Sequence, residues 1–142
     1  MATIPPLAHR CHAQGTWDLS CTEHVQPFEP YAAAAARGLK EELGLPLGTV
    51  QPVHVAGPVL QELFFAHATD REFVDLYRAL LPADVPVRID AMEVVAWRWV
   101  EPAALQHEMR EAPATFAPWV ASSLAHVAAA SGGQIVFSPT AL

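Results

Sequence analysis

Positive charge is scarce in this chain. Lys and Arg together number 8 against 15 Asp and Glu, a net charge of −7 over 142 residues. That balance excludes the broad basic face on which nucleic acid or an anionic membrane surface depends. It leaves room for a phosphate ligand, because a divalent cation can mask acidic side chains. Cysteine is equally sparse: Cys11 and Cys21 are the whole complement, too few for a disulfide framework and in keeping with two reduced intracellular thiols. No apolar run reaches the length of a membrane span. The opening MATIPPLAHRCHAQG has neither the apolar core of a signal peptide nor the basic amphipathic pattern of a transit peptide. These absences predict a soluble, cytoplasmic protein with no nucleic-acid and no membrane partner. What is abundant is apolar: hydrophobic residues make up 52% and charged residues 16%, which excludes compositional disorder and supplies a core for one domain over residues 1–142 without disulfide or metal staples.

Local signals divide the chain. Residues 1–16 carry Pro, His and Gly without periodicity and read as a loose arm. WDLS is expected to be a short strand, and a loop follows through Gln26-Pro27-Phe28. Pro30 suits the first position of a helix, Glu29 favours its positive end, Ala32 to Ala36 have high helix propensity, and Gly44 with Pro46 stops it, which predicts a helix over about residues 30–43. Beyond it, VQPVHVAG reads as β-type chain broken by Pro52. VLQELFFAHA and EFVDLYRALL read as a hairpin turning at Thr69-Asp70-Arg71. PVRID is a weak strand or loop. MEVVAWRWVEP, rich in Val and Trp, reads as a strong strand with Val95, Trp97 and Trp99 on one face and Val94, Ala96 and Arg98 on the other. Pro102 opens a short helix to about Met109, and Pro118 opens a last one that Gly132-Gly133 ends. The tail QIVFSPTAL is apolar enough to dock or to form an edge strand. There is no internal repeat and no linker.

The chemistry concentrates in the first helix. Arg37 and Glu41, four apart, share a face, whereas Glu42 points about 100° away around the axis. Adjacent acids of this kind can hold an oxygen-seeking cation between the helix and the loop before it. A KEEL run alone is commoner on solvated helices; the spacing of the whole stretch sets this one apart. Glu29 is followed, after seven residues, by Arg37, and then by Leu39, Glu41, Glu42, Gly44 and Leu45.

In that spacing the stretch over about residues 23–45 resembles the Nudix family signature: Gly, five residues, Glu, seven residues, Arg-Glu, an aliphatic, any residue, Glu-Glu, any residue, Gly, an aliphatic. Two positions depart from it. Glu23 stands where the first Gly belongs, and Gly38 where the Glu after Arg belongs. Outside the box, WDLS…HV, EFVDLY, EVVAWRWVEPAAL and TFAPW are similar to the branch that includes isopentenyl-diphosphate isomerase. The likeness runs from about residue 17 to residue 127.

The resemblance implies an α/β fold, a Nudix-type α/β/α sandwich with a mixed central sheet, whose N-terminal strands are missing from this chain. It implies Mg²⁺ or Mn²⁺ held by Glu41 and Glu42, Arg37 orienting the carboxylates, and Glu29 as an acid beside the metal. His24 matches a metal-binding His of the isomerase branch, and Glu72 a further ligand or base, with Asp70 a weaker candidate. The implied substrate is a small-molecule diphosphate, of nucleoside or isoprenoid type, and the implied reaction its hydrolysis. A water-activating carboxylate absent from position 38 would cost roughly 10²–10⁴-fold, and a Glu at position 23 is strained if that position needs positive φ. Two alternatives stand beside hydrolysis: an isomerase-like enzyme and an inactive Nudix-fold binding protein. The isomerase proton donor is a Cys at the position of Thr22; Cys21 is one residue early, which reverses its direction in extended chain. Missing strands would expose an edge or core, arguing for instability or a partner such as a second copy in a homodimer. The remaining candidates read blandly. His9 and His12 flank Cys11 without a match in the family, and Trp97, Trp99 and Trp119 are expected in the core. His54, His67, His107 and His126 lack a compelling spacing. Arg88 and Arg98 suit salt bridges as well as phosphate.

Overall fold

Helix α1 spans Tyr31–Leu43 in the computed structural model, which describes residues 7–8, 15–82, 85–92 and 94–130. Pro30 is its extended N-cap, and the Pro30 carbonyl accepts from Ala33 N and Ala34 N at 2.9 and 3.1 Å. Gly44 ends it in the left-handed region, φ 63, with its N–H on the Leu39 carbonyl, the conformation a glycine C-cap permits. A side chain at Gly44 would overlap the Arg88 carbonyl, because residues 85–90 lie against the helix end. There Arg88 N and Asp90 N donate to Leu43 O and Glu42 O at 2.9 and 3.2 Å, which satisfies two carbonyls the helix leaves open. PVRID is thus a loop fastened to α1.

The buried face of α1 is Ala34, Gly38, Leu39, Glu42 and Leu43, one stripe at helical spacing. Leu39 and Leu43 join Leu45, Val50 and Val94 in a first core, with Cys21, Ala79, Leu81, Val85, Val87 and Ile89 packed around it.

Strand β1, Leu7–Ala8, pairs antiparallel with β2, Trp17–Asp18, so part of the expected loose arm is engaged in pairing. β3, Val53–Phe64, and β4, Thr69–Arg78, form a long antiparallel hairpin. Its turn is Phe65 to Ala68, closed by Phe65 N on the Ala68 carbonyl at 2.8 Å. The expected turn at Thr69-Asp70-Arg71 is therefore corrected: these residues pair with Phe64, Leu63 and Glu62. Cross-strand register, and not the local turn signal, decides the position. Pro52 precedes the ladder instead of breaking it, and the register shifts fall between His54 and Val59. Leu60 and Phe73 face each other across the strands and both are exposed.

The described residues of MEVVAWRWVEP form no strand, another correction. Val94 N donates to the Asp90 carbonyl at 2.7 Å, so the segment begins with a tight turn. Its apolar side chains then diverge: Val94 enters the first core, Val100 a second, and Val95 is 77% exposed. Trp97 and Trp99 meet edge to face at 5.8 Å, and Trp99 is exposed rather than in a core. Burial at two separate sites outweighs the β propensity of the run.

Helices α2, Pro102–Glu111, and α3, Val120–Ala130, lie near their expected places. Val100, Leu105, Phe116, Ala117 and Val120 form the second core, against which Trp17, Leu19, Met109, Trp119 and Leu124 pack. Trp17 O accepts from Ala117 N at 2.8 Å, and Trp119 Nε1 donates to the buried Asp18 carboxylate at 2.6 Å. The segment after β2 thus leaves one core and arrives at the other. Among the described residues the ladders are two antiparallel pairs, and isolated parallel bridges join Trp17 to Phe116 and Leu47 to Val50. His9, Cys11, His12, Gly132-Gly133 and the QIVFSPTAL tail lie outside the described residues.

Leu43, at 0% exposure, and Val95 give opposite expectations. Leu43→Ala should lower urea-unfolding stability by about 2–5 kcal/mol, the cost of a core truncation. Val95→Ala should stay within about 0.5 kcal/mol, as surface substitutions do.

Candidate functional site: a carboxylate cluster on Arg37

One guanidinium gathers the acids. Arg37 lies midway along α1, half-buried, and its three nitrogens all have partners. Nε donates to Glu29 Oε1 and NH2 to Glu29 Oε2, both at 3.0 Å, a bidentate pair. NH2 also donates to the His24 carbonyl at 2.9 Å, and NH1 to Glu41 Oε2 at 3.2 Å. NH1 further forms an ion pair with Glu23. Three carboxylates from three places in the sequence thus share one cation.

The loop before the helix is shaped for this. Glu29 Oε2 accepts from Gln26 N at 2.9 Å while Glu29 N donates to the Gln26 carbonyl at 3.0 Å, which closes a turn. Within that turn Phe28 adopts φ 66, a conformation uncommon for a non-glycine residue, and is fully exposed. The bond from Arg37, and then that from Gln26 N–H, hold the Glu29 carboxyl below its ordinary pKa. Arg37 is held more firmly protonated, first by Glu29.

Glu42 points elsewhere. It is 1% exposed, on the buried face of α1, beneath residues 21–22. Its Oε1 accepts from Thr22 N at 3.3 Å, and it accepts a hydrogen bond from the Cys21 thiol. Burial, then the charge of Glu42 and that hydrogen bond, push the thiol far above its ordinary pKa. Cys21 is therefore a protonated, free thiol. The Thr22 hydroxyl is buried without a hydrogen-bond partner among the described residues.

The expected set is thus partly assembled. Arg37, Glu29 and Glu41 meet. His24 contributes its backbone carbonyl, and among the described residues no hydrogen bond or ion pair joins its imidazole to the cluster. Glu72 lies on β4 and accepts from Gln61 Nε2 at 3.2 Å; among the described residues no bond or ion pair joins it to Arg37, Glu41 or Glu42. Asp70 is exposed on the same strand. Arg98 pairs with Glu108 and stacks 4.5 Å above the Trp17 ring, a structural role. Glu23 would be strained if its position needed positive φ; it does not adopt one, and its carboxylate pairs with Arg37. The only non-glycine residue with positive φ among the described ones is Phe28. The missed signal was available: an acid gained at 23 and an acid lost at 38.

The donors are carboxylate oxygens on or beside one helix, which suits a hard cation such as Mg²⁺ or Mn²⁺ in kind. No three His, Cys, Asp or Glu side chains among the described residues are already grouped at metal-binding distances. Glu23, Glu29 and Glu41 are instead turned onto Arg37.

Comparison with known proteins bears on this site. The family model of the NUDIX domain matches residues 7–120. An isopentenyl-diphosphate Delta-isomerase of Cereibacter sphaeroides is 37% identical over 121 residues, covering 83% of this chain and 66% of that protein. An uncharacterized Nudix hydrolase of Pseudomonas aeruginosa is 34% identical over 102 residues, covering 70% of this chain and 53% of that protein. The chain thus spans less than two thirds of the length of these relatives. Among solved structures, DR0079 of Deinococcus radiodurans superposes with a TM-score of 0.67 at 16% identity, over 88% of this chain and 75% of that one. A MutT NUDIX hydrolase of Burkholderia pseudomallei gives 0.63 at 19% identity, over 89% and 88%. At such identities these structures show a shared fold alone.

The pH dependence of stability reads the cluster. Glu29 has a lowered pKa in the folded protein, so the unfolded chain takes up protons first as pH falls. Its contribution is complete above the ordinary carboxylate value of 4.5 and is lost as pH drops through the folded value. Glu29→Gln should therefore lower stability at neutral pH and flatten the acid limb, as read from urea midpoints measured between neutral pH and the acid transition.

Proposed function

The chain belongs to the Nudix family, and from that premise we propose that it hydrolyses the diphosphate group of a small organic molecule with the help of Mg²⁺ or Mn²⁺. The carrying observation is the convergence of Glu29 and Glu41 on Arg37, one residue from buried Glu42. A divalent cation bound here supplies Lewis-acid polarisation of the phosphoryl group and an activated water. In this reading Glu41 and Glu29 are the ligands nearest to hand; Glu42, His24 and Glu72, which the family resemblance adds to the set, have to turn towards the cation from where they lie here. Arg37 orients Glu29 and Glu41 and holds the Glu29 carboxyl below its ordinary pKa. A net charge of −7 disfavours a bare anionic substrate, so cation and substrate are expected to arrive as one neutralised unit. No described helix is long and apolar enough to cross a membrane, and the free thiol of Cys21 suits the reducing cytoplasm we assign as its setting.

The relatives named as isomerases favour a second reading, proton transfer on an isoprenoid diphosphate. That chemistry needs a donor and an acceptor on opposite faces of the substrate double bond. Here the donor position is Thr22, and the neighbouring Cys21 thiol is turned onto Glu42, so acid and base lie together under one segment. Hydrolysis therefore ranks first.

A panel of nucleoside and isoprenoid diphosphates, assayed for phosphate or monophosphate release with Mg²⁺ and Mn²⁺, tests this. The Glu41→Gln/Glu42→Gln variant should lose at least about 10²-fold in turnover. Equal release by both proteins contradicts the proposal. Deuterium entering an allylic product, without release, selects the isomerase instead. Tight binding without either reaction selects a binding protein.

A further inference from the structure

We propose that Glu23 supplies, from the segment that precedes α1, the carboxylate that the helix lacks at position 38. Gly38 is buried, and a methyl group built there overlaps Cys21 Sγ and Glu23 Cγ. Residues 21–23 therefore lie directly on the helix at this point, and the side chain of Glu23 fills the space a residue at 38 would use. A glycine in a helix interior is destabilising. Here the close approach of another segment accounts for it. From that position Glu23 reaches Arg37 NH1, beside Glu29 and Glu41 on the same guanidinium. The cluster thus keeps three carboxylates on Arg37 although the helix itself contributes only Glu41.

The two departures from the signature are one exchange. A Glu at 38 with Glu23 retained puts two acids into one space. A Gly at 23 with Gly38 retained leaves the arginine with one acid fewer. Glu23 acts as a positioning residue for Arg37 and as an added oxygen donor toward the cation. The second role rests on the function proposed above; the pairing of positions 23 and 38 does not.

Four variants test it: Glu23→Gln, Glu23→Gly, Gly38→Glu and the reversal Glu23→Gly/Gly38→Glu. Mn²⁺ affinity is read from the free-ion paramagnetic resonance signal, and folding from thermal midpoints without metal. Glu23→Gln keeps the fill and removes the charge, so it should fold like the wild type and bind Mn²⁺ about tenfold or more weakly, as loss of a supporting ligand does. Gly38→Glu alone should lower the midpoint. The reversal should regain the part of that loss due to Glu23, the overlap with Cys21 Sγ remaining, and bring Mn²⁺ affinity back towards wild type. Unchanged Mn²⁺ affinity in Glu23→Gln, beside a wild type that binds, overturns this inference alone. So does a reversal no better than the sum of its single changes. A folded wild type that binds no Mn²⁺ overturns the cation role of Glu23 together with the proposed function.

Discussion

The site depends on one guanidinium shared by three carboxylates. Arg37 takes Glu23 from the segment after β2, Glu29 and the His24 carbonyl from the loop, and Glu41 from its own helix. Without that cation, three like charges in this space repel one another. Arginine suits the task because its planar fork offers several donors in fixed directions, and five hydrogen bonds or ion pairs are made here at once. The same interaction that orders the acids also holds the Glu29 carboxyl below its ordinary pKa. A site for a hard cation needs both properties.

The scaffold matters because it fixes where those acids begin. Trp17 and Asp18 are tied to the C-terminal part of the fold through Ala117 N and Trp119 Nε1. Four residues later Thr22 N is tied to Glu42 of α1. The chain leading to Glu23 is thus tied first to the C-terminal part of the fold and then, at Thr22, to α1, and Gly38 lets it rest on the helix. At the far end of α1, Gly44 admits the 85–90 loop in the same manner. Both glycines work as contact points between chain segments.

The sequence made α1 legible to within a residue, because propensity, periodicity and the Gly44 stop all agree there. Arg37 and Glu41 were legible for the same reason, since fixed spacing on a helix determines direction, whereas Glu29, in the loop before it, was legible only through the family resemblance. Where local and long-range preferences conflict, the reading fails. The polar Thr69-Asp70-Arg71 looks like a turn, but nine cross-strand pairs place the turn earlier. The Val- and Trp-rich run from Met92 looks like a strand, but its two buried valines belong to different cores. The Glu23–Arg37 ion pair was hidden because it joins residues across a loop whose path no local rule supplies. Glu42 was read correctly as pointing away from Glu41; its burial depended on where residues 21–22 come to lie.

The central claim is that the acids around Arg37 form the cation site. Paramagnetic broadening of backbone amide resonances by substoichiometric Mn²⁺ tests it most directly. The account predicts that amides of residues 22–24, 29 and 37–42 broaden first, with those of α3 and the Phe65 to Ala68 turn left sharp. Broadening centred anywhere else, or spread evenly over the acidic surface, contradicts it.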